Sequence, residues 1–185
     1  MINVNDLKNG MSVMYDGNIY TVLETNHVKP GKGAAFVQAK LRNLRTGAII
    51  ENRFNSSDRL EQAHIEKKDM QYLYSMSGVY YFMNMETYDQ IEINESQLGN
   101  DKNFLVENLI ITIVSFEGEI LGLQLPDKVE LKITKCEPGV RGNTANNAMK
   151  DATLETGLTI KVPLFVNEGE TIIVSTSDGK YVSRA

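Results

Sequence analysis

The sequence predicts an all-β protein assembled from small barrels, and three observations carry that prediction. Apolar residues recur with a period of two in TVLETNHV, AFVQAKLRNL and AIIENRF, the mark of half-buried strands. Glycine-bearing pairs suited to tight turns separate such runs: Asp16-Gly17, Thr46-Gly47, Glu117-Gly118, Glu168-Gly169 and Asp178-Gly179. A helical pattern shows itself in DKNFLVENL, where Asp101 is placed to cap the first turn. Many short strands with scarcely one helix indicate barrels rather than layers of helix and sheet.

The elements follow in order. TVLETNHV and AFVQAKLRNL flank a tip, Lys29-Pro30-Gly31-Lys32-Gly33, and AIIENRF follows Thr46-Gly47. YLYSMSGVYYFMNM and DQIEIN continue the alternation as far as the helical stretch. IITIVSFEGEILGLQL turns at Glu117-Gly118, and VELKITKCE begins the last third. From Pro138 to Thr156 the chain is polar, small and aperiodic; a loop of that length inside a compact domain is commonly functional or disordered, and Gly142 and the Asn pair favour function. LTIKVPLFVNEGETIIVSTSDGKYVSR closes the chain with two further turns. A chain of this length exceeds one five-stranded barrel and suits three units of about 60 residues each. Boundaries at Ala63–Lys68 and Leu125–Val129 give segments 1–64, 65–127 and 128–185. Each would own a modest core, so packing between neighbours should add to stability.

Charge is unevenly spread along these segments. The net charge of -5 divides into +2 over residues 1–64, -8 over 65–127 and +1 over 128–185. Within the first segment, residues 27–59 hold seven Lys/Arg against only Glu51 and Asp58. A basic face and an acidic spacer would give this asymmetry, as would ordinary surface charge that favours solubility. No apolar run approaches the roughly 18 to 20 residues needed to span a bilayer. MINVNDLKNGMSVMYDG has neither the basic start nor the apolar core of a signal peptide. Cys136, the single cysteine, excludes an internal disulfide and suits a reducing compartment. A cytoplasmic protein without a membrane partner is the expectation.

Signals of catalysis are sparse. His27 and His64 are the only histidines, without HExxH or paired cysteines, so no metal site is expected. Cys136 suits a strand core better than a nucleophile. Gly31-Lys32-Gly33 invites comparison with a phosphate loop, but the P-loop needs Ser or Thr after its lysine, and Gly33 stands there. What remains is a basic hairpin. Pro30 stiffens its approach, while Gly31 and Gly33 permit turn conformations closed to other residues and let another backbone come near. Lys29, Lys32, Lys40, Arg42 and Arg45 give strand and tip a positive potential suited to phosphate. A hairpin with solvated lysines is the plain alternative.

These residues carry a resemblance. KPGKGAAFVQAKLRNLRTG resembles the tip-bearing hairpin of the bacterial translation elongation factor P family. VRGNTANNAMKDATLETGLTIKVPLFVNEGETIIVSTSDGKYVSR is similar to the final domain of that family and is the more specific motif. The likeness covers essentially the whole chain, SFEGEILGLQLPDKVELKIT included. One departure is Asp151, which stands where family members commonly have a proline.

The resemblance implies an L-shaped, three-domain monomer: an SH3-like (KOW-like) barrel, then two OB-fold barrels. It implies a non-enzymatic factor, without a cofactor, that binds the ribosome between the peptidyl and exit sites and relieves stalling at consecutive prolines. Lys29, Pro30, Gly31, Lys32, Gly33, Lys40 and Arg42 would meet the acceptor arm and CCA end of peptidyl-tRNA. Gly142, Asn143 and Thr144 would approach the small subunit and the exit-site codon. Lys32 is the tip position at which family members carry a covalent extension, which would make a Lys32-modifying enzyme a further partner; a lysine here excludes the arginine chemistry of another lineage.

Two rival functions predict different surfaces. A general RNA-binding module needs aromatics exposed on strands, for which Tyr80, Tyr81 and Phe82 are candidates, although a run of three must place at least one on each face. An enzyme built from scattered carboxylates needs a cleft that pairs them.

Overall fold

The computed structural model describes residues 1–139 and 148–185. Among them the expected all-β class holds: the strands form three antiparallel-rich sheets, accompanied by one four-residue α-helix and short 3-10 turns. No helix among the described residues is long and apolar enough to cross a membrane. The chain divides into two compact units, Met1–Lys67 with Ile113–Gly122, and Lys68–Thr112 with Leu123–Ala185.

The first sheet contains β1 (Ile2–Asn3), β2 (Ser12–Tyr15), β3 (Asn18–Val28), β4 (Phe36–Asn43), β5 (Ile49–Asn55) and β6 (Arg59–Gln62), in the order β1-β6-β2-β3-β4-β5. Asp16 and Gly17, at φ 48° and 74°, make the two-residue turn between β2 and β3; positive φ at both positions matches the twist of the flanking strands. Strand β4 shows the alternation most plainly. Val37, Ala39 and Leu41 point into a core with Val4, Val13, Val22 and Phe54, whereas Gln38 and Arg42 are exposed.

Asn43 ends that buried row as a polar residue only 7% exposed. Its Oδ1 accepts from the backbone N–H groups of Arg45 (2.8 Å) and Thr46 (3.1 Å), shaping the turn into β5. Asn43→Ala removes that acceptor and leaves two turn donors short of a partner. The expected loss is ~1–3 kcal/mol by urea unfolding; a loss below about 0.5 kcal/mol, the range of a neutral surface change, would mean that water replaces the side chain without penalty.

The second sheet has β7 (Glu66–Met76), β8 (Val79–Asn84), β9 (Gln90–Asn94), β10 (Ile110–Phe116) and β11 (Glu119–Gln124), in the order β11-β10-β7-β8-β9. YLYSMSGVYYFMNM folds back at Ser77-Gly78, where φ is 52° and 76°. The helix lies earlier than expected: α1 is Glu95–Leu98, and Gln97 Oε1 accepts from the N–H of Asn94 at 3.4 Å. Gly99, at φ 56°, stops it, and Asp101 falls inside the 3-10 turn Gly99–Phe104 instead of capping a helix. Burial in that turn pushes the Asp101 carboxyl upward. Phe104 and Leu105, adjacent in the stretch that reads as helical, are buried from the end of that turn and the residue after it.

The third sheet comprises β12 (Lys128–Cys136), β13 (Met149–Leu154), β14 (Thr159–Pro163), β15 (Thr171–Ser175) and β16 (Tyr181–Arg184), ordered β14-β13-β12-β15-β16. Strand β13 occupies part of the stretch expected to be one long loop. Its inward positions are Lys150, Ala152 and Leu154, and a lysine and an alanine hide the apolar period. Phe104 packs into the same core as Val129, Leu131, Val162 and Val174, joined by the partly buried Val106 and Leu125. Residues on either side of the expected boundary at Leu125–Val129 therefore share one core within this unit, as the small size of each segment required.

Candidate nucleic-acid interface

Strands β3 and β4 carry the basic tip. Their register runs from Tyr20 opposite Asn43 to Val28 opposite Phe36, so the ladder holds Lys29–Ala35 at its open end. The base of the tip is tied to β5, where Phe36 faces Asn55 and the N–H of Ser56 donates to the carbonyl of Ala35 at 3.2 Å. Lys29, Gly31, Lys32 and Gly33 are exposed, and Pro30 is half-buried.

The two tip glycines differ. Gly33 adopts φ 106°, a conformation strained for any residue with a Cβ. Gly31 does not enter the left-handed region, and an added Cβ there would meet no atom within 4 Å. Turn geometry therefore requires glycine at 33 alone; what Gly31 contributes is a bare backbone that another molecule can approach.

Side chains leaving the outer face of β4 lie in cross-strand rows. Lys40 is opposite Glu24 on one side and Glu51 on the other. Directly opposed residues share a face, so two carboxylates offset much of the field of Lys40. Arg42 is exposed and stands between Thr21 and Ile49, neither of them charged. Nearer the tip, the guanidinium of Arg53 lies 3.6 Å from the centroid of the Phe36 ring, a cation–π contact that holds a charge at the root of the hairpin. Arg53 and its aromatic platform were not singled out by sequence pattern, because residues 17 apart become neighbours only through the β4–β5 register.

Arg45 is positioned differently. Its Nη2 and Nε donate to the two carboxylate oxygens of Glu119 at 2.9 and 3.1 Å, a forked pairing. That contact pulls the Glu119 carboxyl below its ordinary value. Stability from the pair is therefore present above the unfolded carboxylate range and fades as pH falls through the lowered folded value. Arg45 belongs to this pair and to the carbonyl of Gly17, 3.4 Å away, more than to an open phosphate face.

Gly142, Asn143 and Thr144 lie outside the described residues. Asp151 does not: it sits within β13 opposite Lys161, and its Oδ1 is 2.6 Å from Lys161 Nζ. The carboxylate hydrogen bond raises the Lys161 ammonium above its ordinary range. Asp151 thus serves a strand pair and an exposed ion pair.

Tyr80, Tyr81 and Phe82 divide as their run requires. Phe82 is completely buried, and Tyr80 and Tyr81 are half-buried. Tyr74, among the exposed aromatics, stacks on Tyr81 with ring centroids 4.6 Å apart.

Comparison with known proteins agrees with this architecture. The Elongation factor P (EF-P) KOW-like domain matches residues 3–60, the Elongation factor P (EF-P) OB domain residues 65–123, and the Elongation factor P C-terminal domain residues 129–184. Among solved structures, the eukaryotic translation initiation factor 5A from Methanococcus jannaschii is similar in fold. It shares 23% identity at a TM-score of 0.54, over 64% of this chain and 88% of the other. A translation initiation factor eif-5a family protein from Naegleria fowleri gives 17% identity and a TM-score of 0.55, over 67% of this chain and 96% of the other. Those likenesses extend to the fold; the order and coverage of the three domain matches go further, and by them the chain belongs to the elongation factor P family of translation factors.

Proposed function

We propose that this protein binds the ribosome between the peptidyl and exit sites and stimulates peptide bond formation at consecutive prolines by positioning peptidyl-tRNA. The observation that carries the proposal is the exposed Lys32 at the open end of the β3–β4 ladder, next to a glycine whose backbone is bare. Membership of the family supports it. A narrow tip with one ammonium suits a cavity lined by phosphate and ribose oxygens, where Lys29, Pro30, Gly31, Lys32 and Gly33 approach the CCA end and Arg42, with Lys40 as a weaker neighbour, faces the acceptor arm. Gly142, Asn143 and Thr144 serve the small-subunit end. Segments 1–64, 65–127 and 128–185 act as tip-bearing, spacer and codon-end domains of a cytoplasmic monomer.

No proton transfer by the protein is needed. Proline is a rigid, awkward nucleophile, and holding the reactants near attack geometry lowers an entropic barrier; a tenfold acceleration requires only ~1.4 kcal/mol. The protein acts as a positioning factor and not an enzyme. The exposure of Lys32 also suits it as the acceptor of a covalent extension placed by a modifying enzyme.

Salt dependence tests the docking face. Counterion release makes ribosome affinity fall linearly in log salt. Arg42→Gln should lower the slope by ~0.7 for a single-stranded contact or ~0.9 for a duplex. Lys40→Gln should lower it less, because Glu24 and Glu51 already face that ammonium. Glu86→Gln with Glu92→Gln, in the acidic segment, is the control. An unchanged slope for Arg42→Gln, or an equal fall for the acidic pair, would place the RNA face elsewhere.

A further inference from the structure

A groove that the basic hairpin does not use is lined mostly by the acidic segment, with Glu155 and Thr156 of the last segment completing it. The lining of a cavity of about 360 Å³ includes Tyr72, Tyr74, Tyr80, Glu107, Glu155 and Lys102. All of these residues belong to the second compact unit. The volume is within the ~300–1,000 Å³ typical of ligand sites. Lys102, the cation of the six, is ion-paired with Glu95, so the unmatched charge at the rim is that of Glu107 and Glu155, both exposed. Residues 65–127 as a whole carry three Lys/Arg against eleven Asp/Glu.

The aromatic wall continues onto the open sheet. Tyr74 is 50% exposed, a large apolar area to leave in water. It stacks on Tyr81 at an interplanar angle of 21°, and Tyr81 faces Glu92 across the β8–β9 ladder. The Tyr81 hydroxyl is raised first by burial and then by the Glu92 carboxylate, and that of Tyr80 by burial and then by Glu95. A flat ring thus stands next to an unpaired carboxylate at Tyr81 and Glu92, on the approach to the groove and outside its lining, whereas Glu95 beside Tyr80 is taken by Lys102.

We propose that this groove seats an extended, arginine-bearing segment of a basic protein partner. Guanidinium is the group that uses both features at once. Its plane stacks on a tyrosine face while its fork pairs with a carboxylate. An ammonium gains the charge without the stacking, and a phosphate chain meets repulsion from Glu92, Glu107 and Glu155. Charge complementarity therefore chooses a basic peptide over RNA for this surface, although aromatic platforms alone would suit either. The inference stands apart from the ribosomal role proposed above, since it involves none of the hairpin residues.

The test is a chemical-shift titration of the full-length protein with acetylated, amidated octapeptides of Gly-Arg, Gly-Lys and Gly-Glu repeats, and with a uridine octanucleotide. The Gly-Arg peptide should saturably shift the backbone amides of Tyr74, Tyr80 and Glu107, with the Gly-Lys peptide about threefold weaker. Glu107→Gln with Glu155→Gln should raise Kd for the Gly-Arg peptide about fivefold or more. The amide side chain still accepts from the Lys132 N–H, which Glu155 now does at 2.9 Å. Tyr74→Leu should weaken binding similarly while preserving the charges, and it answers the question if the double variant melts early. Absence of saturable shifts, equal binding of the Gly-Glu peptide, tighter binding of the oligonucleotide at the same amides, or an unaltered Kd in both variants would overturn the proposal.

Discussion

Lys32→Ala should leave the protein folded and remove most of its stimulation of polyproline synthesis. The side chain is exposed at a tip held by the β3–β4 ladder and by the Ser56–Ala35 hydrogen bond, and Gly33 supplies the strained turn position without help from the lysine. A surface substitution of this kind stays within about 0.5 kcal/mol of the parent. Activity should fall at least about tenfold, equivalent to ~1.4 kcal/mol of lost barrier lowering. Melting curves and translation of a consecutive-proline reporter, taken on the same preparations, separate the two quantities. Full activity in the folded variant would refute the positioning role, and so would a loss accounted for entirely by unfolding. Because the peptide titration of the groove uses neither ribosomes nor this residue, failure of one result leaves the other standing.

The largest effect on stability is expected from Phe82→Ala. Phe82 is completely buried in β8, with the Tyr72 ring 5.5 Å away and Tyr72 directly opposite in the ladder. Truncation removes the ring's transfer free energy and leaves a cavity that a sheet cannot easily collapse around, at a cost of ~3–5 kcal/mol. Nothing on the hairpin changes, so Lys32 keeps its exposure. The expected observation is a large fall in the urea midpoint of the unit that includes β8, with ribosome binding retained in the fraction still folded. A loss below about 1.5 kcal/mol, the range of a volume-conserving swap, would show that neighbouring side chains refill the space and that this core is more plastic than its burial suggests.

Much of the architecture is decided by local chemistry and was legible on that account. Asp16-Gly17 and Glu117-Gly118 both place consecutive residues at positive φ, a demand that Asp-Gly meets with little strain and that Glu-Gly meets without strain at its glycine only, so the first hairpin in particular is written where it occurs. The basic tip is likewise a local fact: lysine between glycines, at the end of two alternating runs, has no core to enter. Where a residue's role depended on its own backbone or its near neighbours, sequence was enough. The helix shows the limit of that statement, since Phe104 and Leu105, within the stretch that reads as helical, serve the core from a 3-10 turn and the residue after it once Gly99 has ended α1.

What only the tertiary structure decided came through register and bulges. Tyr72 and Tyr74 are two residues apart and should share a face, but the β7–β8 ladder slips between them. Tyr72 is consequently buried and Tyr74 left outside to stack on Tyr81. A similar slip between Val22 and Glu24 buries the valine and turns the glutamate outward, opposite Lys40. One extra residue in a strand reverses every later side chain, and neither position has a composition that announces it. The sign and strength of the surface field follow from such pairings: Lys40 is offset by Glu24 and Glu51, whereas Arg42 remains open. Sequence determined which charges the chain carries; the ladders determined which of them meet a partner.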